Sequence, residues 1–378
     1  MIYINKESRW EVMGKLGISI YEEKSTIEEI FNYIDLAKKY EFSRIFSCLL
    51  SVNDKKENIV KKFKAINTYA KDRGFEIILD VSPSVFKKLG VSYFDLRFFK
   101  ELGADGIRLD MGFTGFEESL MTFNPENLKI EINMCNNTHY LDTIMDYMPN
   151  KENLIGCHNF YPHRHSGLNY EHYKDCTENF KKHGLRTAAF VASNTENSFG
   201  PWAITEGLPT LEMHRGMPID IQVKHIIATG GIDDIIISNC YASEEEFESL
   251  RRMRKDMVTF DVIAYKNTPD TERKILFEDI HFKRGDFSDK IIRSSQSRIK
   301  YKEHKFEIFN NPKEIKKGDI IIESSEYKNY SGELEIALED FENNGKSNVV
   351  GRIRLEELFL LDCLKAFQKF NFRLCDEE

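Results

Sequence analysis

The chain has 378 residues, of which 41% are hydrophobic and 12% aromatic, so it is long enough for two packed domains rather than one ordinary core. A formal net charge of −9 argues against a nucleic-acid-binding protein, whose surface would be basic. The sequence contains no run of about 18 apolar residues, which excludes a membrane-spanning helix.

Cysteine usage and the first residues bear on the compartment. Met1–Trp10 carries charges and lacks an apolar core, so we expect no secretory leader. The seven cysteines never form a C-x-x-C pair, a pattern that favours reduced thiols over a disulfide framework. We therefore expect a cytoplasmic protein that has neither nucleic acid nor membrane as a partner.

Short apolar segments alternate with amphipathic segments eight times between residues 15 and 240. The apolar segments are continuous, as in parallel strands covered on both faces. The predicted strands are Leu16–Ile20, Arg44–Cys48, Glu76–Asp80, Gly106–Asp110, Lys129–Asn133, Leu154–His158, Arg186–Val191 and Asp234–Ser238. The predicted helices include Thr26–Tyr40, Glu57–Arg73, Tyr140–Tyr147, Tyr170–His183 and Glu244–Arg254. Eight such units predict an α/β protein, a (β/α)8 TIM barrel, which places its chemistry at the C-terminal ends of the strands.

The pattern changes near Phe260, and a boundary between Thr259 and Asn267 gives predicted domains of 1–260 and 261–378. An amphipathic stretch, Leu355–Phe370, predicts one helix, and the strand-like Asn371–Leu374 follows it. The other segments are short, β-rich and separated by turn signals: Lys274–Phe277, Lys305–Phe309, Asp319–Glu323, Gly332–Leu338 and Asn348–Ile353. This composition predicts a small β-barrel or sandwich.

Polar residues occupy positions that should face the barrel interior. Because side chains alternate along a strand, Arg108 and Asp110 should point inward while their neighbours face the helices. The same rule brings further polar side chains to one mouth: Asp80, Glu131, Asn133 and His158, the last in the preferred of two possible registers. Charges inside a protein are costly, so this cluster must be paired or functional.

Two loops at the same end are rich in polar side chains. His158–His165 follows the sixth strand and contains Asn159 and Arg164. The connection Ser193–Pro218 is long for a barrel loop and is expected to be a lid or a substrate wall. It includes Glu212, His214 and Arg215.

Paired carboxylates at a barrel mouth suit glycoside hydrolysis, which needs one protonated acid and one ionised nucleophile or base. Asp110 and Glu131 lie on adjacent predicted strands and are the first candidate pair, with Glu212 as a third candidate. Two alternatives stay open: Glu131 neutralises Arg108, and Glu212 is a solvated loop charge. Asp80 is expected to accept a substrate hydroxyl or to orient the substrate rather than to act as the acid itself.

Metal chemistry is the competing hypothesis, because five histidines lie near the same rim: His139, His158, His163, His165 and His214. No pair has the helical spacing of a zinc site, so we expect neither metal nor cofactor. A phosphosugar aldolase or isomerase is a further alternative, although no clear interior lysine follows a predicted strand. A non-catalytic sugar-binding protein is the third.

In the second domain, Arg293 and Arg298 flank hydroxyl residues and could hold a phosphate or carboxylate. The alternative is a solvated strand with alternating polar residues.

Over nearly its full length the chain resembles the bacterial 6-phospho-N-acetylmuramidase family. The resemblance is carried by several segments together: Lys15–Tyr21, Gly106–Asp110, Lys129–Asn133, His158–Pro162, Gly207–Arg215, Lys317–Asp319 and Tyr330–Leu334. It implies a TIM barrel followed by a cyclophilin-like β-barrel domain, in a cytoplasmic enzyme of peptidoglycan recycling. The implied reaction cleaves 6-phospho-N-acetylmuramyl-N-acetylglucosamine to N-acetylmuramic acid 6-phosphate and N-acetylglucosamine.

The charges of that substrate agree with the rim. A lactyl carboxylate and a phosphate need cations, and Arg108, Arg164 and Arg215 supply them. The expected substrate contacts are Asp80, Arg108, Asn133, His158, Asn159, Arg164, His214, Arg215, Arg293 and Arg298. The expected partner is this phosphorylated amino-sugar disaccharide, and a homo-oligomer is possible.

Overall fold

The computed structural model describes residues 14–49, 56–204, 206–254 and 256–377. The expectation about Met1–Trp10 lies outside these residues. The described chain divides into two compact units, which we treat separately. The first contains the described residues up to Val223 together with Gly231–Arg252, and the second contains Lys224–Gly230 and the residues from Met253 onward.

The first unit is a closed barrel of eight parallel strands in sequential order, as predicted. Its strands are nearly all buried on both faces, which explains their continuous apolar sequences. Their bounds are β1 Leu16–Ile20, β2 Arg44–Cys48, β3 Glu76–Val81, β4 Gly106–Leu109, β5 Lys129–Asn133, β6 Leu154–Cys157, β7 Arg186–Val191 and β8 Asp234–Ile237.

Helices connect the strands, and local sequence signals fix several of their ends. Thr26 and Glu29 form a capping box at the start of the first helix, and Ser243 and Glu246 form another at the start of the last one. The helices are α1 Ile27–Lys39, α2 Lys56–Lys71, α3 Pro83–Leu89, α4 Arg97–Glu101, α5 Phe116–Met121, α6 Tyr140–Asp146, α7 Tyr170–Lys182, α8 Ile219–Thr229 and α9 Glu244–Arg251.

The second unit is built around a barrel-shaped, seven-stranded sheet with the order β10-β17-β9-β16-β13-β14-β11. The strands of this sheet are β9 Val258–Ala264, β10 His281–Phe282, β11 Ile291–Ser294, β13 Asp319–Glu323, β14 Leu334–Ala337, β16 Ser347–Ile353 and β17 Lys369–Glu377. Two further strands, β12 Glu314–Ile315 and β15 Phe341–Glu342, pair with each other. Its helices are α10 Asp270–Glu278, α11 Gln296–Lys300 and α12 Leu360–Cys363. The expected domain boundary at residues 260/261 falls inside β9. An apolar core fills this unit, with Phe260, Ile320 and Phe370 among its buried members.

Three local predictions in this unit are wrong. Lys274–Phe277 belongs to α10, because the acidic residues just before it favour a helix start and only Ile275 and Leu276 need burial. Lys305–Phe309 is irregular rather than a strand. The predicted helix Leu355–Phe370 is reduced to the four residues Leu360–Cys363 and a short turn before them, because Gln368 accepts a bond from the Lys365 backbone (2.8 Å) and Phe370 already pairs in the sheet.

Among the described residues, no helix has the length and apolar character needed to cross a bilayer.

Candidate active site

Inward-facing residues at the C-terminal ends of β3 to β6 form the polar mouth of the barrel. Asp80 of β3 is in register with Arg108 of β4, which is in register with Glu131 of β5. Residues in register on parallel strands share a face, so this row lies inside the barrel. Asp110 lies two residues after Arg108, and Asn133 lies two residues after Glu131, so both are on the interior face and closer to the mouth.

Arg108 is the centre of this mouth. Its guanidinium is almost fully buried, and Nη1 donates to Asp80 at 2.6 Å and contacts Asp110 at 3.4 Å. Nη2 donates to the side-chain oxygen of Asn159. One cation therefore holds two carboxyls and an amide, which fixes their positions before any ligand arrives.

The two carboxyls differ in environment. Burial raises the pKa of Asp80 to about 7, opposed by the attraction of Arg108 and reinforced by the negative charge of Asp110. The Asp110 side chain is 37% exposed, whereas that of Asp80 is 4% exposed. Asn133 lies beside Asp110 and donates to its backbone oxygen at 3.2 Å. The pair thus combines a buried carboxyl whose pKa lies near neutral pH with a solvent-facing one.

Glu131 does not neutralise Arg108. Its carboxylate pairs with Arg44, which also holds Asp234, and all three side chains are completely buried. The strands of a barrel tilt, so a cation from the start of β2 reaches across the interior to β5. Glu131 lies inside the barrel, away from solvent, as part of a buried ion network.

The prediction that His158 faces the interior is wrong. Its ring stacks on Tyr173 of α7, and Nε2 lies 2.9 Å from the Thr177 hydroxyl. The alternative register is the one present, so Asn159 rather than His158 reaches the mouth. The sequence Gly156, Cys157, His158 does not alternate clearly between apolar and polar residues. Alternation therefore could not decide which of these residues face the barrel interior.

A cysteine–histidine pair is present that the spacing did not reveal. Cys135 Sγ lies 3.5 Å from His158 Nδ1. Burial raises the pKa of the Cys135 thiol and lowers the pKa of His158 to about 3. Both pKa shifts favour the neutral thiol and imidazole over the thiolate and imidazolium. The Cys135 sulfur is therefore a poor nucleophile.

Glu212 and Arg215 pair with each other and tie the two long loops together, so Glu212 is not a mobile acid and Arg215 is not a free phosphate contact. Arg215 donates to both Glu212 oxygens (2.8 and 2.7 Å) and to four backbone oxygens: those of Tyr161, His163, Glu206 and Gly207. All three guanidinium nitrogens are therefore occupied, and a phosphate could bind them only by displacing these partners.

The Glu212 carboxylate also accepts the backbone N–H groups of His165 and Gly167, both at 2.8 Å. A side chain at Gly167 would come within 2.7 Å of Glu212, so only glycine permits this approach. The Arg215 contact lowers the pKa of Glu212 to about 2, with help from both backbone donors and against partial burial. Glu212 is thus an anion at every ordinary pH and cannot serve as a general acid here.

The remaining rim residues separate into buried and exposed ones. His214 is fully buried, whereas the Arg164 side chain is exposed. Arg164 borders a cavity of about 820 Å³ next to the ends of β7 and β8. Ser193, Asn194 and Asn239 line the same cavity.

The rim histidines are the candidates for a metal site that the sequence offered. Across the described ranges, none of them belongs to a group of three or more metal-ligand atoms within 4.8 Å of one another.

In the second unit, Arg293 and Arg298 hold an anion of their own chain. Arg293 Nε and Arg298 Nη1 each lie 2.7 Å from a carboxylate oxygen of Glu333, which is completely buried. Both guanidinium groups also lie over the Tyr330 ring, at 5.4 and 5.6 Å from its centre. Glu333 occupies the position expected for a ligand anion.

Sequence reasoning did not single out Glu22, a buried carboxyl just after β1. Its Oε1 accepts from Ser47, and burial raises its pKa to about 7. The signal available was its place directly after an apolar strand, the same rule that selected Asp110.

A closed parallel barrel with a paired acidic mouth, followed by a separate β-rich unit, defines a two-domain TIM-barrel protein. The profile described as 6-phospho-N-acetylmuramidase, N-terminal, matches residues 16–252, and the C-terminal profile of the same description matches residues 258–373. The chain belongs to the 6-phospho-N-acetylmuramidase family.

Two solved structures resemble it over most of their length. An uncharacterized B. cereus protein is 45% identical, with a TM-score of 0.87, over 96% of this chain and 99% of that chain. A conserved Enterococcus faecalis protein of unknown function is 23% identical, with a TM-score of 0.66, over 96% of each chain, and shows the shared fold. A search of curated proteins returns no match.

Proposed function

We propose that the protein is a glycoside hydrolase that cleaves 6-phospho-N-acetylmuramyl-N-acetylglucosamine. The products are N-acetylmuramic acid 6-phosphate and N-acetylglucosamine, and the reaction belongs to peptidoglycan recycling in the cytoplasm. The observation that carries the proposal is the contact of two carboxyls, Asp80 and Asp110, with one nitrogen of Arg108 at the barrel mouth. Membership of the family supports the substrate class.

The environments of the two carboxyls assign their roles. Asp80, whose pKa is raised to about 7 by burial, is the acid that protonates the leaving oxygen. Asp110, the exposed partner, attacks the anomeric carbon as the bond to that oxygen breaks. Water then hydrolyses the glycosyl ester: Asp80 takes its proton, and Asp110 leaves as a carboxylate. Asp80 thus replaces Glu131 in the pair, because Glu131 is bound to Arg44 inside the barrel.

The spacing of the pair favours retention of configuration. The contacts to Arg108 Nη1 measure 2.6 and 3.4 Å, so the two carboxyl oxygens are at most about 6 Å apart, the sum of these distances. Retaining glycosidases separate their carboxyls by roughly 5–5.5 Å, whereas inverting ones leave about 6.5–9.5 Å for a water.

The phosphate would bind in the cavity at the ends of β7 and β8, next to Arg164. TIM barrels often bind phosphate with the loops that follow these strands. Asn194 and Asn239 border the same space and offer amide groups. Arg164 is favoured over Arg215 because the Arg215 guanidinium already has six partners.

The test is hydrolysis of the phosphorylated disaccharide by the purified protein, beside its unphosphorylated counterpart and with chelator present. We expect N-acetylglucosamine to be released only from the phosphorylated compound, at a rate that chelator does not change. An absence of release, or release that chelator abolishes and metal restores, would contradict the two-carboxylate mechanism. Release of a ketose or aldol fragment would favour the aldolase or isomerase alternative.

A further inference from the structure

Trp202 is a large apolar side chain exposed at the reactive end of the barrel. It lies on the long connection between β7 and α8 and is 45% exposed. Its indole rests against Phe160, with ring centres 5.8 Å apart and planes inclined by 56°. Phe160 in turn packs edge-to-face on Phe46 and Phe190 inside the barrel. An exposed aromatic surface is thus supported from below by the barrel core.

The segment that carries Trp202 is fixed from two sides. Lys24 donates to the backbone oxygens of Gly200 and Trp202 at 2.7 and 2.8 Å. Gly200 approaches Leu208 so closely that a Cβ would lie 2.3 Å from a Leu208 methyl carbon. The indole is therefore presented by a pinned turn, so little conformational entropy remains to be lost when a ligand binds.

One residue of the sequence links this aromatic surface to the carboxyls. Phe160 directly follows Asn159, and the Asn159 side chain accepts a hydrogen bond from Arg108. Arg108 contacts both Asp80 and Asp110. Trp202 and the two carboxyls therefore lie at the same end of the barrel, connected through Phe160 and Asn159.

We propose that Trp202 and Phe160 form a stacking platform for the neutral pyranose ring of the substrate, the N-acetylglucosamine leaving group. This inference rests on the proposed function. The anionic sugar can be held by charge, through Arg164, which borders the cavity proposed for the phosphate. The neutral ring has no charge to pair, and its apolar C–H face matches an exposed indole, as in aromatic-lined ligand pockets.

Binding can be measured without hydrolysis because the chain has two tryptophans, Trp10 and Trp202. Trp10→Phe leaves Trp202 as the only indole. Titration of this variant with N-acetylglucosamine should change its emission in a saturable way, whereas glycerol should not. Adding Phe160→Ala should weaken the response, and adding Phe123→Ala, at a phenylalanine that is 61% exposed, should leave it unchanged.

Kinetics then separate stacking from general damage. Trp202→Ala should raise KM for the disaccharide about tenfold, with a smaller effect on kcat, and Trp202→Phe should recover most of the loss. The methyl glycoside of the phosphorylated sugar lacks the second ring and should be cleaved equally by wild type and variant. Equal losses on both substrates would overturn the platform, as would unchanged KM with loss of a dimer, which would make Trp202 a contact between copies.

The two proposals fail in different ways. A saturable change in Trp202 emission without hydrolysis of any substrate would support the platform and reject the glycosidase. Hydrolysis without an emission change would leave the glycosidase and reject the platform.

Discussion

At the scale of single residues, the chemistry of the mouth depends on the contacts that Arg108 makes with two carboxyls, Asp80 and Asp110. Both carboxyls touch the same nitrogen, but Asp80 is buried and Asp110 faces solvent. Burial raises the pKa of Asp80 to about 7, and acid–nucleophile chemistry requires one carboxyl that can supply a proton. Arg108 fixes the distance between them, so Arg108→Lys, which lacks the planar fork, should disturb both roles together.

We expect Asp80→Asn to lower kcat by about 10²–10⁴-fold on the disaccharide, because the leaving oxygen then departs without a proton. The activity of wild type should fall as pH rises through about 7, where Asp80 loses its proton, and this limb should vanish in the variant. A pH profile of kcat/KM measures both effects.

An aryl glycoside with a good leaving group, which needs little acid help, provides the first control: Asp80→Asn should retain most of its activity on it. Asp142→Asn, at an exposed carboxyl paired with His139, should behave as wild type. A basic limb that survives in Asp80→Asn would assign the acid to another residue.

A second prediction concerns stereochemistry. The short separation of Asp80 and Asp110 should give a first product with the anomeric configuration of the substrate. Proton NMR of the anomeric signals in the first minutes of hydrolysis, before the sugar equilibrates, measures it. The opposite anomer would mean that a water lies between the reacting carboxyls and would exclude Asp110 as nucleophile.

Alternation along strands was enough to place Arg108 and Asp110 on the interior face. It did not identify the partner of Glu131, because Arg44 comes from a strand 87 positions earlier and meets it only through the closure of the barrel. Nor did it show that Arg215 was already saturated, since its acceptors are mostly backbone oxygens, which any sequence offers.

At the scale of elements, the Glu212–Arg215 pair makes one unit of the two loops that follow β6 and β7. The Tyr161 backbone N–H donates to the backbone oxygen of Pro209 at 3.1 Å, and the Thr210 hydroxyl donates to the backbone oxygen of Asn159 at 2.9 Å. The two loops therefore hold Asn159, the residue that contacts Arg108, in place, and we call this set of loop contacts the strap. Damage to this strap should act on the mouth regardless of which substrate is bound.

We expect Arg215→Ala to reduce kcat/KM equally for phosphorylated and unphosphorylated analogues and to lower the melting temperature, since it leaves Glu212 without its charged partner. A single hydrogen bond to a charged group contributes about 1.5–3 kcal/mol to the free energy of unfolding, so the destabilisation should be at least of this size. Arg164→Ala should instead cost about 10–100-fold on the phosphorylated substrate alone, with an unchanged melting temperature.

Paired kinetics on the two analogues, with thermal melts, distinguish these variants. If Arg215→Ala lost activity on the phosphorylated substrate alone, the Arg215 guanidinium would have to leave its loop partners to bind phosphate.

Periodicity predicted the barrel elements well because each strand and helix there has one dominant burial requirement. It did worse in the second unit, where short elements share one core. Leu360, Leu361 and Leu364 are all buried, yet only Leu360–Cys363 is helical, because turns satisfy the same burial. Apolar spacing identifies which residues are inside and leaves the backbone path open when segments are this short.

At the scale of the whole molecule, each unit contains its own buried acidic cluster with a different balance of charge. In the barrel, Arg44 and Arg186 neutralise the interior carboxylates. In the second unit, Glu323 and Glu335 share a hydrogen bond beside a cavity of about 270 Å³. Burial, together with the nearby negative charges of this cluster, raises both pKa values, so the pair retains a proton at neutral pH.

This shared proton should make the second unit less stable as pH rises. In the unfolded chain both carboxyls have lost their protons by about pH 5, whereas the folded pair retains one until its raised pKa is passed. Between those limits the unfolded state binds fewer protons, so stability falls by about 1.4 kcal/mol per pH unit for one proton. Glu335→Gln should remove most of this slope and stabilise β13 and β14 at pH 8, with little change at pH 5. Hydrogen exchange of peptides from these strands, compared with Glu339→Gln at an exposed carboxyl paired with Lys290, measures the difference. An unchanged slope in Glu335→Gln would show that the pair is already ionised in the folded protein.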